Sequence, residues 1–252
     1  MKAIAFDLWE TIITDTPETA LRQQECRLER MSEVFEKAGK PVLRDALEAA
    51  YRHTWVRCND LYWSRDRDIP ARTQIVHMLE PLLADGQVPE ELLGDLEEAY
   101  AGAAIDHLPD LVDGATELLS KLRGRWRIGL VSNTGRTPGA VLRGVLDRLG
   151  IGGMFDVTVF SNEHGECKPE PSIFSRLREG LGVAPSDIVF VGDNLFSDVW
   201  GAKQAGMRAV HFDPPVRGTA VGPVTREVEN IVPDATINFL RELPPILEEW
   251  AR

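Results

Sequence analysis

The chain has 252 residues, 43% of them hydrophobic, with 28 basic against 40 acidic side chains and a formal charge of −12. That length supports one substantial core or a core with a smaller companion unit. So acidic a surface repels phosphate backbones and anionic lipid, which excludes nucleic acid and membrane as expected partners and leaves a small-molecule substrate. Cys26, Cys58 and Cys167 lack metal-site spacing and read as free thiols of a reducing compartment. The N-terminal apolar run is too short for a secretory leader and no segment reaches membrane-spanning length, so a soluble cytoplasmic protein is expected.

In chain order, the first apolar run is KAIAF (2–6), read as a strand that delivers Asp7 into the stretch DLWET. About a hundred residues of helical pattern follow, too many for a single crossover. Leu21, Leu28, Met31, Phe35 and Ala38 share a stripe after Thr16-Pro17, and Leu47, Tyr51, Thr54, Cys58 and Leu61 make a second. Residues 71–83 and 89–103 add two more helices, so 15–108 is predicted to be an inserted helical cap. Its Tyr51, Trp55, Tyr62 and Trp63 with Arg52, Arg57, Arg65 and Arg67 suit either a substrate-facing surface or helix packing beneath a solvated basic face, and the second reading is preferred.

From residue 109 onward strand and helix alternate. RIGLV (127–131), DVTVF (156–160), DIVFV (187–191) and RAVHF (208–212) are predicted strands. Helices are predicted at 113–124, 137–150, 170–182 and 197–206, most of them ending at glycine. Residues 213–223 read as a Pro- and Gly-rich surface loop, and 233–247 as a closing helix interrupted by its prolines. The pattern is that of an α/β fold, a doubly wound, Rossmann-like parallel sheet built by 1–14 and 109–252 with the helical cap inserted.

Ligands of a parallel sheet bind at the carboxyl ends of its strands. The predicted strand ends carry Asp7, then Ser132-Asn133, then Lys168 in SNEHGECKPEP, then Asp193 and Asp198 in GDNLFSD. DLWET, VSN, Lys168-Pro169 and GDNLFSD, in this order and approximate spacing, resemble the four motifs of the haloacid dehalogenase-like hydrolase superfamily, with a cap of its first type. The resemblance implies Asp7 as a carboxylate nucleophile and Mg²⁺ held by Asp7, the Trp9 carbonyl, Asp193 and Asp198. It implies Lys168 as the charge-compensating cation, and Ser132, Asn133, Trp9 and Thr11 as the substrate-side set, with Thr11 fixing the loop after the nucleophile.

Trp9 departs from the family's phosphatase pattern. Phosphatases carry a second aspartate there, which protonates the leaving oxygen, a task indole cannot perform. The family's 2-haloacid dehalogenases carry an aromatic residue, because halide leaves unprotonated, but they use no metal and lack the full acidic pair. The leading expectation is therefore a Mg²⁺-dependent hydrolase of a small phosphorylated compound with a good leaving group. A metal-independent 2-haloacid dehalogenase and a non-catalytic binding protein on the same fold are the alternatives.

Overall fold

The computed structural model describes residues 1–83, 88–219 and 230–252. In chain order the strands are β1 (Ala3–Phe6), β2 (Ile13–Thr14), β3 (Asp110–Leu111), β4 (Arg127–Ser132), β5 (Val157–Phe160), β6 (Ile188–Gly192), β7 (Arg208–Phe212) and β8 (Ala235–Ile237). The main sheet runs β5-β4-β1-β6-β7-β8, and every pairing in it is parallel. Successive strands step outward from β1 first on one side and then on the other. That reversal opens a crevice at the carboxyl ends of β4, β1 and β6.

Between β2 and β3 stand α1 (Pro17–Lys37), α2 (Arg44–Leu61), α3 (Ala71–Leu79), α4 (Glu90–Ala101) and the short α5 (Ala103–Asp106). Thr16 caps α1 by accepting the Thr19 N–H at 3.1 Å, with Pro17 in the first turn. The helices bury Leu28, Met31, Phe35, Leu47, Ile75 and Leu96 against one another in an apolar cluster of their own. The two segments joining this layer to the sheet pair with each other, Ile13 with Leu111 and Thr14 with Asp110, in antiparallel register. No helix among the described residues is long and apolar enough to cross a membrane.

The sheet is covered on both faces by α6 (Ala115–Leu122), α7 (Gly139–Arg148), α8 (Ser161–His164), α9 (Pro171–Leu181), α10 (Gly201–Gln204) and α11 (Leu243–Trp250). Strand periodicity sorts the packing: Ile4 and Phe6 join the cluster that receives α6, α7 and α11, while Ala3 and Ala5 face α9. Small residues on the second face let α9 lie close. A Cβ at Gly129 would stand 2.5 Å from Leu177 Cδ1 and 3.3 Å from Leu181 Cδ1.

One sequence expectation is corrected. The stretch 233–247 is not one broken helix: Ala235–Ile237 adds a sixth parallel strand beside β7, and Pro244 and Pro245 stand in the first turn of α11, where a missing N–H costs nothing. Residues 213–219 form a surface loop as expected, tied to the segment after β1 where Gly218 donates its N–H to Glu10 Oε2 at 2.6 Å and Thr219 donates to the Asp15 carbonyl at 2.9 Å. The rest of that predicted loop, 220–223, lies outside the described residues.

The close approach of α9 yields a prediction. Gly129→Val overpacks the β4–α9 contact and should lower unfolding stability by about 1–3 kcal/mol, read as a shift of the urea midpoint at unchanged slope.

Candidate active site

β1 ends at Phe6, and the Asp7 N–H is still held by the Val191 carbonyl at 2.9 Å, so the sheet fixes the Asp7 backbone at its carboxyl edge. The Lys168 ammonium, only 3% exposed, donates to Asp7 Oδ1 and, at 2.7 Å, to Asp198 Oδ1. Asp198 rides on the π-helical turn Leu195–Trp200 that follows β6, a form frequent at functional sites. Asn194 caps that turn through the Phe196 and Ser197 N–H groups, and its own N–H donates to Asp198 Oδ2 at 3.0 Å. Gly192 leaves the room Asp198 needs, because a Cβ there would collide with its carboxyl group.

Asp193 completes the cluster: Asp7, Asp193 and Asp198 each offer a carboxylate oxygen, all within 4.8 Å of one another. Arg217, from the strap 213–219, donates to Asp193 Oδ2 at 2.8 Å. Among the described residues no backbone N–H donates to the Trp9 carbonyl. Three carboxylates form an oxygen-only donor set, which fits Mg²⁺. Burial pushes the Asp7 carboxyl up to about 7, with Lys168 opposing the rise and Asp198 adding to it. Burial, Asp198 and Asp7 push Asp193 up to about 8 against the pull of Arg217 and Lys168. Burial works against the Lys168 ammonium, but Asp198 and Asp7 more than offset it and raise its pKa.

Asn133 brackets Lys168. Its side-chain Oδ1 accepts the Lys168 N–H at 2.8 Å and its Nδ2 donates to the Lys168 carbonyl at 3.0 Å, a reciprocal pair that sets where the lysine leaves the backbone. Ser132 is fully buried at the end of β4, its hydroxyl 3.4 Å from the Asn133 carbonyl. Thr11 is equally buried, and its Oγ1 has no hydrogen-bond partner among the described residues. Trp9, by contrast, lines the cavity above Asp7 and Lys168.

That cavity, of about 550 Å³, lies between the sheet edge and the helical layer. Tyr51, Trp55 and Trp63 form part of its wall, so three of the four cap aromatics face it. The arginines paired with them in sequence do not join them: Arg52 bonds Glu48 and Arg57 bonds Glu80 on the outside of the layer. Arg27 and Arg136, which sequence reading passed over, line the cavity instead. Asp15 shares it; burial pushes its carboxyl up to about 6, although Arg27 pulls the other way.

Asp68 locks the helical layer to the sheet. Its carboxylate accepts from Trp63 Nε1 at 2.9 Å, the Ile69 N–H at 2.8 Å, Thr134 Oγ1 at 3.0 Å and Ser161 Oγ. The adjacent backbone reinforces the contact, with the Cys167 N–H on the Asp66 carbonyl at 2.7 Å and the Asp68 N–H on the Gly165 carbonyl at 3.0 Å.

The family model of the haloacid dehalogenase-like hydrolases matches residues 1–206. The chain is 38% identical over 107 residues to glyceraldehyde 3-phosphate phosphatase of Methanopyrus kandleri, covering 42% of this chain and 44% of that protein. It is 32% identical over 155 residues to the pyrimidine 5'-nucleotidase YjjG of Escherichia coli, covering 61% and 64% respectively. The matched stretch is thus under two thirds of either relative's length. The fold is shared end to end with a 2-haloacid dehalogenase of Pseudomonas syringae, at TM-score 0.73 over 99% of both chains and 23% identity.

Two outcomes are expected from the site geometry. Asn133→Ala removes both bonds to the Lys168 backbone and should cut kcat by about 10–100-fold, with KM changed far less, in steady-state assays. Asp15→Asn removes a carboxyl whose folded pKa, about 6, exceeds its unfolded value. The ionised form therefore costs stability above pH 6, and that cost fades as pH falls toward 4. The variant should be more stable than wild type by about 2 kcal/mol at pH 8 and by much less at pH 4.5, read by urea denaturation.

Proposed function

Because the chain belongs to the haloacid dehalogenase-like hydrolases, we propose that it is a Mg²⁺-dependent phosphohydrolase acting on a small phosphorylated compound with a good leaving group. The observation that carries this reading is the convergence of Asp7, Asp193 and Asp198 within 4.8 Å, with the Trp9 carbonyl proposed as a fourth donor. Three carboxylates against the Lys168 ammonium and one Arg217 hydrogen bond remain under-compensated, which is the condition a divalent cation relieves. Mg²⁺ held by these four groups would supply Lewis-acid stabilisation of the phosphoryl oxygens.

In this reading Asp7 attacks phosphorus through a carboxylate oxygen. The bond from phosphorus to the leaving oxygen breaks, and that oxygen departs with the electron pair. Water then attacks the phosphorus of the aspartyl-phosphate, releasing inorganic phosphate and restoring the Asp7 carboxylate. Lys168 keeps Asp7 in place and offsets the charge that builds on the phosphoryl oxygens. Asn133 holds Lys168, and Ser132 and Thr11 close the floor behind them. Trp9 cannot give a proton, so the leaving oxygen has to be stable as an anion, as in aryl and acyl phosphates. The helical layer 15–108 acts as the cap that excludes bulk water, moving about hinges near Thr14–Thr16 and His107–Pro109, beside the paired linkers, to admit substrate. Three free thiols suit a cytoplasmic setting.

The indole of Trp9 at the cavity wall favours a second reading, a metal-independent 2-haloacid dehalogenase in which Asp7 attacks carbon and halide leaves. One experiment separates the two. Protein stripped with EDTA should be inactive on phenyl phosphate and acetyl phosphate and regain turnover in Mg²⁺, while Asp7→Asn should fall below about 10⁻³ of wild type. Trp9→Asp restores an acid and should raise turnover of alkyl phosphates by up to about 10²-fold. Halide release from a 2-haloacid without metal, together with no turnover of any phosphate ester, overturns the phosphohydrolase reading.

A further inference from the structure

Arg27 leaves α1 and runs into the cavity wall, where it is only 4% exposed. Its Nε donates to the Tyr100 carbonyl at 2.9 Å and its Nη2 to Thr137 Oγ1 at 3.0 Å. Arg136, one residue before Thr137 on the loop after β4, donates Nη2 to the Tyr51 carbonyl at 2.9 Å. Its guanidinium lies 4.0 Å from the centre of the Tyr51 ring and 4.9 Å from that of Trp55.

Both guanidiniums are thus held by neutral acceptors and aromatic faces. Among the described residues neither makes an ion pair with a carboxylate, although arginines on the outer surface, Arg22, Arg52, Arg57, Arg72 and Arg143, each have one. Asp15, in the same cavity, feels the charge of Arg27 but makes no ion pair with it and leaves Arg136 uncompensated. A cation held away from water without a paired anion is costly unless something else supplies the anion. Each guanidinium carries five N–H groups, more than its protein partners use. The two side chains come from different layers, one from the helical layer and one from the sheet, and meet through Thr137. They share their cavity with the Asp7 and Lys168 pair.

We propose that Arg27 and Arg136 form a second anion subsite, and that the substrate is a phosphate monoester bearing a further anionic group, a carboxylate or a second phosphate. The proposal rests on the phosphohydrolase reading for the identity of the reacting group, but not for the existence of the subsite. Tyr51 and Trp55 hold Arg136 flat and add an apolar surface for the body of the substrate between its two anionic ends. Because Arg27 belongs to the helical layer and its Nη2 reaches Thr137 of the sheet, a ligand anion on this pair also favours closure of the layer over the site. Selectivity for the second anion should then appear in kcat/KM, with the anion acting as a remote handle.

The test compares phenyl phosphate with its 3- and 4-carboxy derivatives in Mg²⁺. Wild type should prefer at least one carboxylated isomer by about 10–100-fold in kcat/KM, the worth of a charge-assisted contact. In Arg27→Gln and in Arg136→Gln that ratio should collapse to within about threefold of one. Circular dichroism and thermal melting check the fold. Should Arg27→Gln fail to fold, Arg136→Gln, whose side chain is only partly buried, carries the comparison. A wild-type ratio near one for both isomers, or a ratio that survives in a folded Arg136→Gln variant, overturns the subsite. If no phosphate ester is turned over, the phosphohydrolase reading has failed, and calorimetry decides the subsite alone. Tighter binding of 3- or 4-phosphonobenzoate than of phenylphosphonate, lost in the variants, supports it, and equal binding rejects it.

Discussion

The ammonium of Lys168, buried between Asp7 and Asp198, is the interaction on which the site depends. It joins Asp7, 161 residues before it, to Asp198, 30 residues after it, and each is delivered by the end of a parallel strand or the loop that follows one. A lysine in so dry a position is retained only because carboxylates meet it on two sides. The supports around it follow the same logic. Asn133 fixes its backbone from the neighbouring strand end, Gly192 leaves space for Asp198, and the Asn194 cap holds the π-helical turn that brings Asp198 to it. Losing any one of these would leave a buried charge short of its partner.

Much of this was legible in the sequence, because the sheet and its strand ends are written in short-range pattern. Short continuous apolar runs marked the strands, glycines marked helix ends, and Asp7, Asn133, Lys168 and Asp193 at or after the strand ends line one cavity, while Ser132 stays buried behind it. The sixth strand was missed because three residues, Ala235–Ile237, give no periodicity of their own and gain their identity from pairing with β7. Arg27 was hidden for a related reason. On α1 it reads as one more polar position beside Gln23 and Gln24, and only the fold shows that this face turns into the cavity. The role of Asn133 as the bracket of Lys168 spans 35 residues and leaves no local signal.

The helical layer meets the sheet through polar contacts that differ in kind. Asp68, with four donors converging on it, forms a fixed anchor near the end of β5. On the other side of the cavity the links are sparser: Gln74 Nε2 to the Gly135 carbonyl at 2.8 Å, Arg136 to Tyr51, and Arg27 to Thr137.

Charge gives the cavity a direction. Counting formal charges, the floor carries −3 from Asp7, Asp193 and Asp198 and +2 from Lys168 and Arg217, a net of −1. The wall carries +2 from Arg27 and Arg136 and −1 from Asp15, with Glu10 and Asp66 also on the lining. Under the proposed reading, until a divalent cation joins the floor an anion entering the cavity is drawn to the two arginines and repelled from Asp7. With the cation the floor becomes +1, and a molecule with two anionic ends can satisfy both regions at once. Under the proposed reading this sets an order, metal before substrate, and it also explains how a site without a general acid can remain selective. Trp9 withdraws help from the leaving oxygen, and the contacts at the far wall supply binding energy that only the correct leaving group can use.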